Sequence, residues 1–189
     1  MANGTLKVSN IQTSSGSGTI TLGQSGETVD FSNGTITLNS TMKNVPAFEA
    51  YRSDNQAISD NTATKVQFDT EQFDADSVYD NSSNYRFTPG VAGKYLCYST
   101  IRGGNDGSST LNLIQAKFYK NGSAYQTSTF QNITHFVSNP GANGSVTTAQ
   151  VIDFNTTDYL EVFAQIDTTT GSPDVGQNSV FGAYKLVGA

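Results

Sequence analysis

Tryptophan is absent from the 189-residue sequence, and cysteine and histidine occur once each, as Cys97 and His135. A lone cysteine excludes an intrachain disulfide, and one His with one Cys cannot fill the four protein positions of a zinc site. Cys97 is read as a small buried apolar residue, since its neighbours alternate like a strand. A Ser-His-Asp arrangement needs a nucleophile beside its histidine, and no Gly-x-Ser-x-Gly elbow accompanies His135, which is read as a surface or loop residue. Charge is also scarce. Charged residues make up 14% of the chain, 16 acidic against 10 basic, for a net charge of −6 and no Lys/Arg cluster. Nucleic acid and anionic membrane are poor partners for such a surface, because both present phosphate to be met by positive charge. No apolar run approaches the ~18 residues of a membrane helix. The opening Met1-Ala2-Asn3-Gly4-Thr5 has no basic region followed by an apolar stretch. Neither membrane insertion nor an export signal is therefore expected.

What the chain has instead is Gly, Ser, Thr and Asn, and short runs of period-two alternation. Residues 48–52, 63–68, 93–102, 111–120, 145–154, 159–166 and 179–187 read as half-buried strands. Asn121-Gly122 between Lys120 and Ser123 predicts a two-residue type I′ hairpin, because both positions accept positive φ. No window sustains a 3.6-residue apolar period. Many short strands joined by Gly, Pro, Asn and Asp turns predict an all-β sandwich or jelly roll over residues 46–189.

Residues 1–45 follow a different rule. Gly4-Thr5-Leu6-Lys7-Val8, Gly18-Thr19-Ile20-Thr21-Leu22 and Gly34-Thr35-Ile36-Thr37-Leu38 repeat one pattern, with starts 14 and then 16 residues apart. Each copy predicts a short strand with two apolar side chains on one face. Such a strand becomes stable by stacking on other copies or on identical chains. The segment, marked by Gly4, Gly18 and Gly34, is read as an anchor or fibre shaft, against a flexible low-complexity leader. The Gly16-Ser17-Gly18 stretch is not a phosphate loop: Thr21 stands at the third glycine position and no helical pattern follows.

Four segments, in order, resemble the C1q-like globular domain of the tumour-necrosis-factor-like jelly-roll superfamily. Tyr79-Asp80, Tyr85-Arg86-Phe87-Thr88-Pro89 and Gly93-Lys94-Tyr95 resemble one run of that family. Ala116-Lys117-Phe118-Tyr119-Lys120-Asn121-Gly122 is similar to its strand leading into an Asn-Gly turn. Residues 155–162 resemble its Gly-Asp-x-apolar segment, with Thr157 in place of the glycine. Ser179-Val180-Phe181-Gly182-Ala183-Tyr184-Lys185-Leu186 resembles the closing strand, with Gly182 displaced by one position. The resemblance implies a ten-stranded jelly roll assembled as a homotrimer. It places Tyr95, Phe181 and Tyr184 at the core or the three-fold interface. The 9 Tyr and 11 Phe fit that implication, since subunit interfaces can cover aromatic surface. The Gly-Thr-Ile-Thr-Leu leader, in place of a signal peptide and collagen-like repeats, resembles bacteriophage virion structural proteins. That implies a protein made in the host cytoplasm and exposed on the particle, with other virion proteins as partners of the N-terminal segment.

Candidates for chemistry are few. Asp69, Glu71, Asp74, Asp76 and Asp80 place five of the 16 acidic residues within 12 positions. Asp74, Asp76 and Asp80 are calcium candidates by their oxygen chemistry, weighed against a solvated acidic loop. Val78 occupies the next ligand position, so no EF-hand is present, and otherwise no cofactor is expected. A host-surface receptor or glycan would be met by exposed loops, with Arg102, Asn105, Asp106, Asn139, Asn143 and Asp174 as candidates. The expected function is a non-enzymatic trimeric fibre or decoration head of a virion. The alternatives are a secreted or surface C1q-like ligand-binding protein and a fibre-borne polysaccharide hydrolase. The hydrolase needs a carboxylate separation that the sequence does not define.

Overall fold

Period-two alternation sends successive side chains to opposite faces of a strand, and each long alternating segment of this sequence becomes one. The computed structural model describes residues 11, 25–26, 28–29, 34–37, 45–104, 111–125, 143–169 and 172–186. Among them are thirteen strands and no helix. The strands are β1 (Ala47–Tyr51), β2 (Gln56–Ala57), β3 (Thr64–Lys65), β4 (Thr70–Ala75), β5 (Tyr79–Asp80), β6 (Arg86–Phe87), β7 (Gly93–Gly104), β8 (Leu111–Lys120), β9 (Ser123–Ala124), β10 (Gly144–Phe154), β11 (Leu160–Thr168), β12 (Asp174–Val175) and β13 (Val180–Lys185).

All pairings are antiparallel and fall into two sheets. The first has the order β2-β12-β7-β13-β1-β4, with β10 along the other side of β7. The second has the order β5-β6-β11-β8-β9, with β3 also on β11. Eight strands carry the architecture. Taken in chain order as β1, β6, β7, β8, β9, β10, β11 and β13, the first pairs with the eighth, the second with the seventh, the third with the sixth and the fourth with the fifth. That nested pairing is a long hairpin rolled onto itself, which is a jelly roll. The predicted all-β jelly-roll sandwich is therefore the observed fold, with thirteen described strands rather than about ten because β4 and the two-residue strands β2, β3, β5 and β12 add to the principal set.

The core lies between the sheets. Inward positions of the first sheet (Phe48, Tyr95, Ile101, Ile152, Phe181) meet those of the second (Phe87, Ile114, Phe118, Leu160, Ile166), all fully buried. Phe48 is its hub. Its ring stacks on Tyr79 at 4.6 Å and on Phe87 at 4.8 Å, and meets Phe181 edge-on at 4.9 Å. Cys97 is buried as expected, and burial pushes its thiol up from the ordinary range.

One end of the sandwich is fastened by the predicted hairpin. Asn121 and Gly122 have φ of 53° and 77°, the positive values a type I′ turn requires. The Asn121 side chain then joins this turn to the one between β10 and β11. Its Nδ2 donates to Asp158 Oδ1 at 2.8 Å, and its Oδ1 accepts from the Tyr159 amide at 3.0 Å. Asp158 also accepts from the Asn155 amide at 2.8 Å and pairs with Lys120 at 2.8 Å. These bonds, the Asn155 amide first, then Lys120 and Asn121, hold the Asp158 carboxyl at about 2. A carboxyl with a depressed folded pKa stabilises the fold above its unfolded value of 3.8 and loses that contribution as pH falls toward 2. Asp158→Asn is expected to cost about 1–2 kcal/mol at neutral pH and to flatten the loss of stability between pH 4 and 2, as read by urea midpoints across pH. An unchanged acid limb would remove Asp158 as its source.

The acidic stretch differs from the expected loop. Part of it is β4, a strand at the end of the first sheet, whose partner is β1. Its sequence, Thr-Glu-Gln-Phe-Asp-Ala, lacks alternation because a bulge falls opposite Glu49 and Ala50. Charged side chains on such a terminal strand discourage pairing with another chain. Similarly, the strand expected over residues 63–68 shortens to β3, although Val66 and Phe68 are still fully buried.

The chain divides into two units, Met1–Thr37 and Leu38–Ala189. In the first, the described residues include a turn with Gly26 at φ +88° and the exposed side chains Ile11, Val29 and Ile36. Residues 34–37 have no ladder pairing, and Gly34 has open space around it; Gly4 and Gly18 lie outside the described residues.

Candidate functional site

Strand register places the outward side chains of the first sheet in transverse rows. One row runs Ala75, Ala47, Tyr184, Leu96, Val151 across β4, β1, β13, β7 and β10. It contains no charged or hydroxyl-bearing residue apart from the tyrosine, and Val151 and Tyr184 are 53% and 37% exposed. The adjacent row runs Phe73, Glu49, Gly182, Tyr98, Ala149, with Phe73 at 49%. Gly182 is a spacing requirement. A Cβ there would collide with the Tyr98 ring, and without one the ring lies across β13 and its hydroxyl donates to Glu49 Oε2 at 2.5 Å. Burial, then that bond, push the Tyr98 phenol up. The Glu49 carboxylate thereby accepts a hydrogen bond within two rows that are otherwise uncharged. Of the aromatics expected at core or interface, Tyr184 lies on this face, whereas Tyr95 and Phe181 point into the sandwich and are fully buried by their own chain.

A second feature lies where β7 ends, β10 begins and β12 crosses. There a cleft of about 280 Å³ is lined by Asn55, Arg102, Asn143, Asp174 and Gln177 over a glycine floor. Three of the six residues expected in recognition loops, Arg102, Asn143 and Asp174, are thus brought together; Asn105, Asp106, Asn139 and His135 lie outside the described residues. Its walls are held by backbone. The Gly176 amide donates to Arg102 O at 2.8 Å, and the turn that follows is closed by Ser179, whose hydroxyl accepts from the Arg102 amide at 3.0 Å and donates to Gly176 O at 2.7 Å. Asn55 ties the two sides: its Oδ1 accepts from the Gln177 amide at 2.9 Å and its Nδ2 donates to Asp174 Oδ2 at 3.1 Å. Burial raises the Asp174 carboxyl, opposed by the Asn55 bond. Asn55 carried no sequence signal, since a polar residue in a polar loop looks alike whether it lines a cleft or faces solvent.

Two of the three calcium candidates, Asp74 and Asp80, accept hydrogen bonds from their own turns. Asp74 accepts from the Val78 and Tyr79 amides at 2.9 and 3.0 Å, and Asp80 accepts from the amides of Ser82, Ser83 and Asn84 and from the Asn84 side chain. Backbone donation, that of Ser83 first, holds the Asp80 carboxyl well below its ordinary range. Each carboxylate caps its own turn, and Asp76 sits between them at φ +73°. Among the described residues no three His, Cys, Asp or Glu side chains are grouped as metal ligands.

No protein-family model matches the chain, and no curated protein matches it in sequence. Among solved structures, the globular domain of zebrafish complement 1qA protein aligns over 75% of this chain and 97% of its own, at 15% identity and a TM-score of 0.48. Eiger, a TNF from S. frugiperda, aligns over 76% of this chain and 93% of its own, at 16% identity and a TM-score of 0.47.

Proposed function

We propose that this chain is a non-enzymatic, homotrimeric jelly-roll head whose role is structural and ligand-binding. The observation that carries the reading is the row Ala75, Ala47, Tyr184, Leu96, Val151, an apolar stripe on the outside of a sandwich whose core is already closed. Apolar and aromatic surface of this kind favours burial against another subunit. The sequence resemblance to C1q-like domains supplies the three-fold form. In its finer form the proposal is a virion fibre or decoration protein. The Gly-Thr repeats of residues 1–45 anchor it to other virion proteins, and the loop end is turned toward a host surface.

Light scattering on the purified protein is expected to give about three times the 20.1 kDa chain mass. A clean monomer would remove the assembly. Imaging an intact particle with a tag on the C-terminal domain is expected to place the head at the particle surface, and a particle lacking the tag would remove the virion role while leaving the trimer.

A further inference from the structure

We infer that the cleft formed by Asn55, Arg102, Asn143, Asp174 and Gln177 is a binding site for the hydroxyls of a single sugar unit at the end of a glycan. It deepens the binding-head reading above, yet the cleft lies within one chain and needs no partner to be complete. Three observations carry it.

The first is the donor set. Among the described residues, three amide side chains, one Asp and one Arg line the cleft, so their formal charges cancel. Ions of either sign are poorly served. Calcium takes six to eight oxygens, usually from several carboxylates, and among the described lining residues Asp174 is the single carboxylate and Arg102 adds a positive charge. A phosphate or sulfate would meet that same carboxylate. A neutral polyol has the opposite requirement: each hydroxyl both donates and accepts, which is what a carboxylate flanked by amides provides.

The second is the space. At Gly104 a Cβ would collide with Asn143 Oδ1 and stand 3.0 Å from Asp174 Oδ1. The backbone there is not in the left-handed region that favours glycine, so the missing side chain serves space rather than conformation. Two oxygens thus converge over Gly104, one of the three glycines of the floor. The volume, about 280 Å³, lies at the lower edge of small-molecule sites and suits one ring.

The third is rigidity. Asp174 is held by Asn55, Asn55 is held by the Gln177 amide, and that turn is held by Ser179 and Arg102. Acceptors fixed in advance cost less to order when a ligand arrives. None of the described lining residues is aromatic, so a sugar gains no stacking from them and monovalent binding is weak, in the millimolar range. Three clefts on one trimer would raise apparent affinity for a repeating glycan by about 10²–10⁴-fold.

The test uses the full chain with the methyl glycosides of glucose, galactose, mannose and fucose and of the N-acetylhexosamines as probes. Saturation-transfer NMR is expected to show at least one of them bound, with amide shifts centred on Gly104 and Gly176. Gly104→Val is expected to weaken that glycoside at least ten-fold. Asp174→Asn, which changes no volume, is expected to do the same if the valine variant fails to fold. Silence from every glycoside, undiminished binding in either folded variant, or calcium chloride alone shifting the same amides would overturn the site. Oligomeric state is scored separately. A monomer that still binds a glycoside condemns the assembly and spares the cleft, whereas a trimer that binds none does the reverse.

Discussion

Phe48→Ala is expected to lower the unfolding free energy by about 3–5 kcal/mol, the range found when a fully buried phenylalanine is truncated. The size follows from position. Phe48 joins Tyr79, Phe87 and Phe181 at centroid distances of 4.6–4.9 Å, so its removal opens a cavity bounded by both sheets at once. Tyr79 cannot collapse freely into that space, because its hydroxyl donates to Phe68 O at 3.2 Å. With domain stabilities of about 5–15 kcal/mol, the loss is a large share of the total. Urea denaturation at fixed protein concentration should show a lower midpoint with an unchanged slope. A loss below about 1 kcal/mol would mean that the ring cluster does not bear on stability. Phe48→Leu, which keeps most of the volume, is expected to cost less than half as much.

The second large effect concerns assembly. Leu96 lies between Tyr184 and Val151 in the apolar row, and its side chain is half-exposed in the single chain. Leu96→Glu should therefore fold normally. Across a symmetric interface every copy would bring the same carboxylate, and burying like charges without partners costs several kcal/mol. The scattering mass is expected to fall from about three chains to one while the β-sheet circular dichroism stays the same. Retention of the parent mass would show that subunits meet on some other surface. Lys94→Glu, two residues from Leu96 on the polar edge of the same face opposite Asp153, serves as the control that should leave the mass unchanged.

Much of the architecture was legible, and for a definite reason. β7, β8, β10 and β11 are long, and each separates an inward apolar set from an outward one, so period two shows in their sequences. Asn121-Gly122 was legible because positive φ at two successive residues admits few side chains. What stayed hidden depends on partners. β2, β3, β5, β6 and β12 are two residues each, too short for any period, and exist because a neighbouring strand offers a ladder. β4 was hidden by its bulge. Register was also hidden, and with it the difference between Tyr184 and Phe181: both are aromatics of one strand, yet odd and even positions put one in the core and the other outside. The cleft was half visible. Arg102, Asn143 and Asp174 stood out as loop residues, but residues that far apart in sequence meet through the pairing of Gly103 and Gly104 with β10 and β12.

The nested pairing also has a consequence for synthesis. β13 lies between β1 and β7 in the first sheet, although it is the last described strand to be made. While the ribosome adds the residues that separate β7 from β13, the facing edges of β1 and β7 stand with their amides and carbonyls unpaired. At about 5–20 residues per second that interval lasts roughly 4–15 seconds. During it the nascent chain offers a slot shaped for a strand, and any neighbouring polysome carrying the same message holds a strand that fits it.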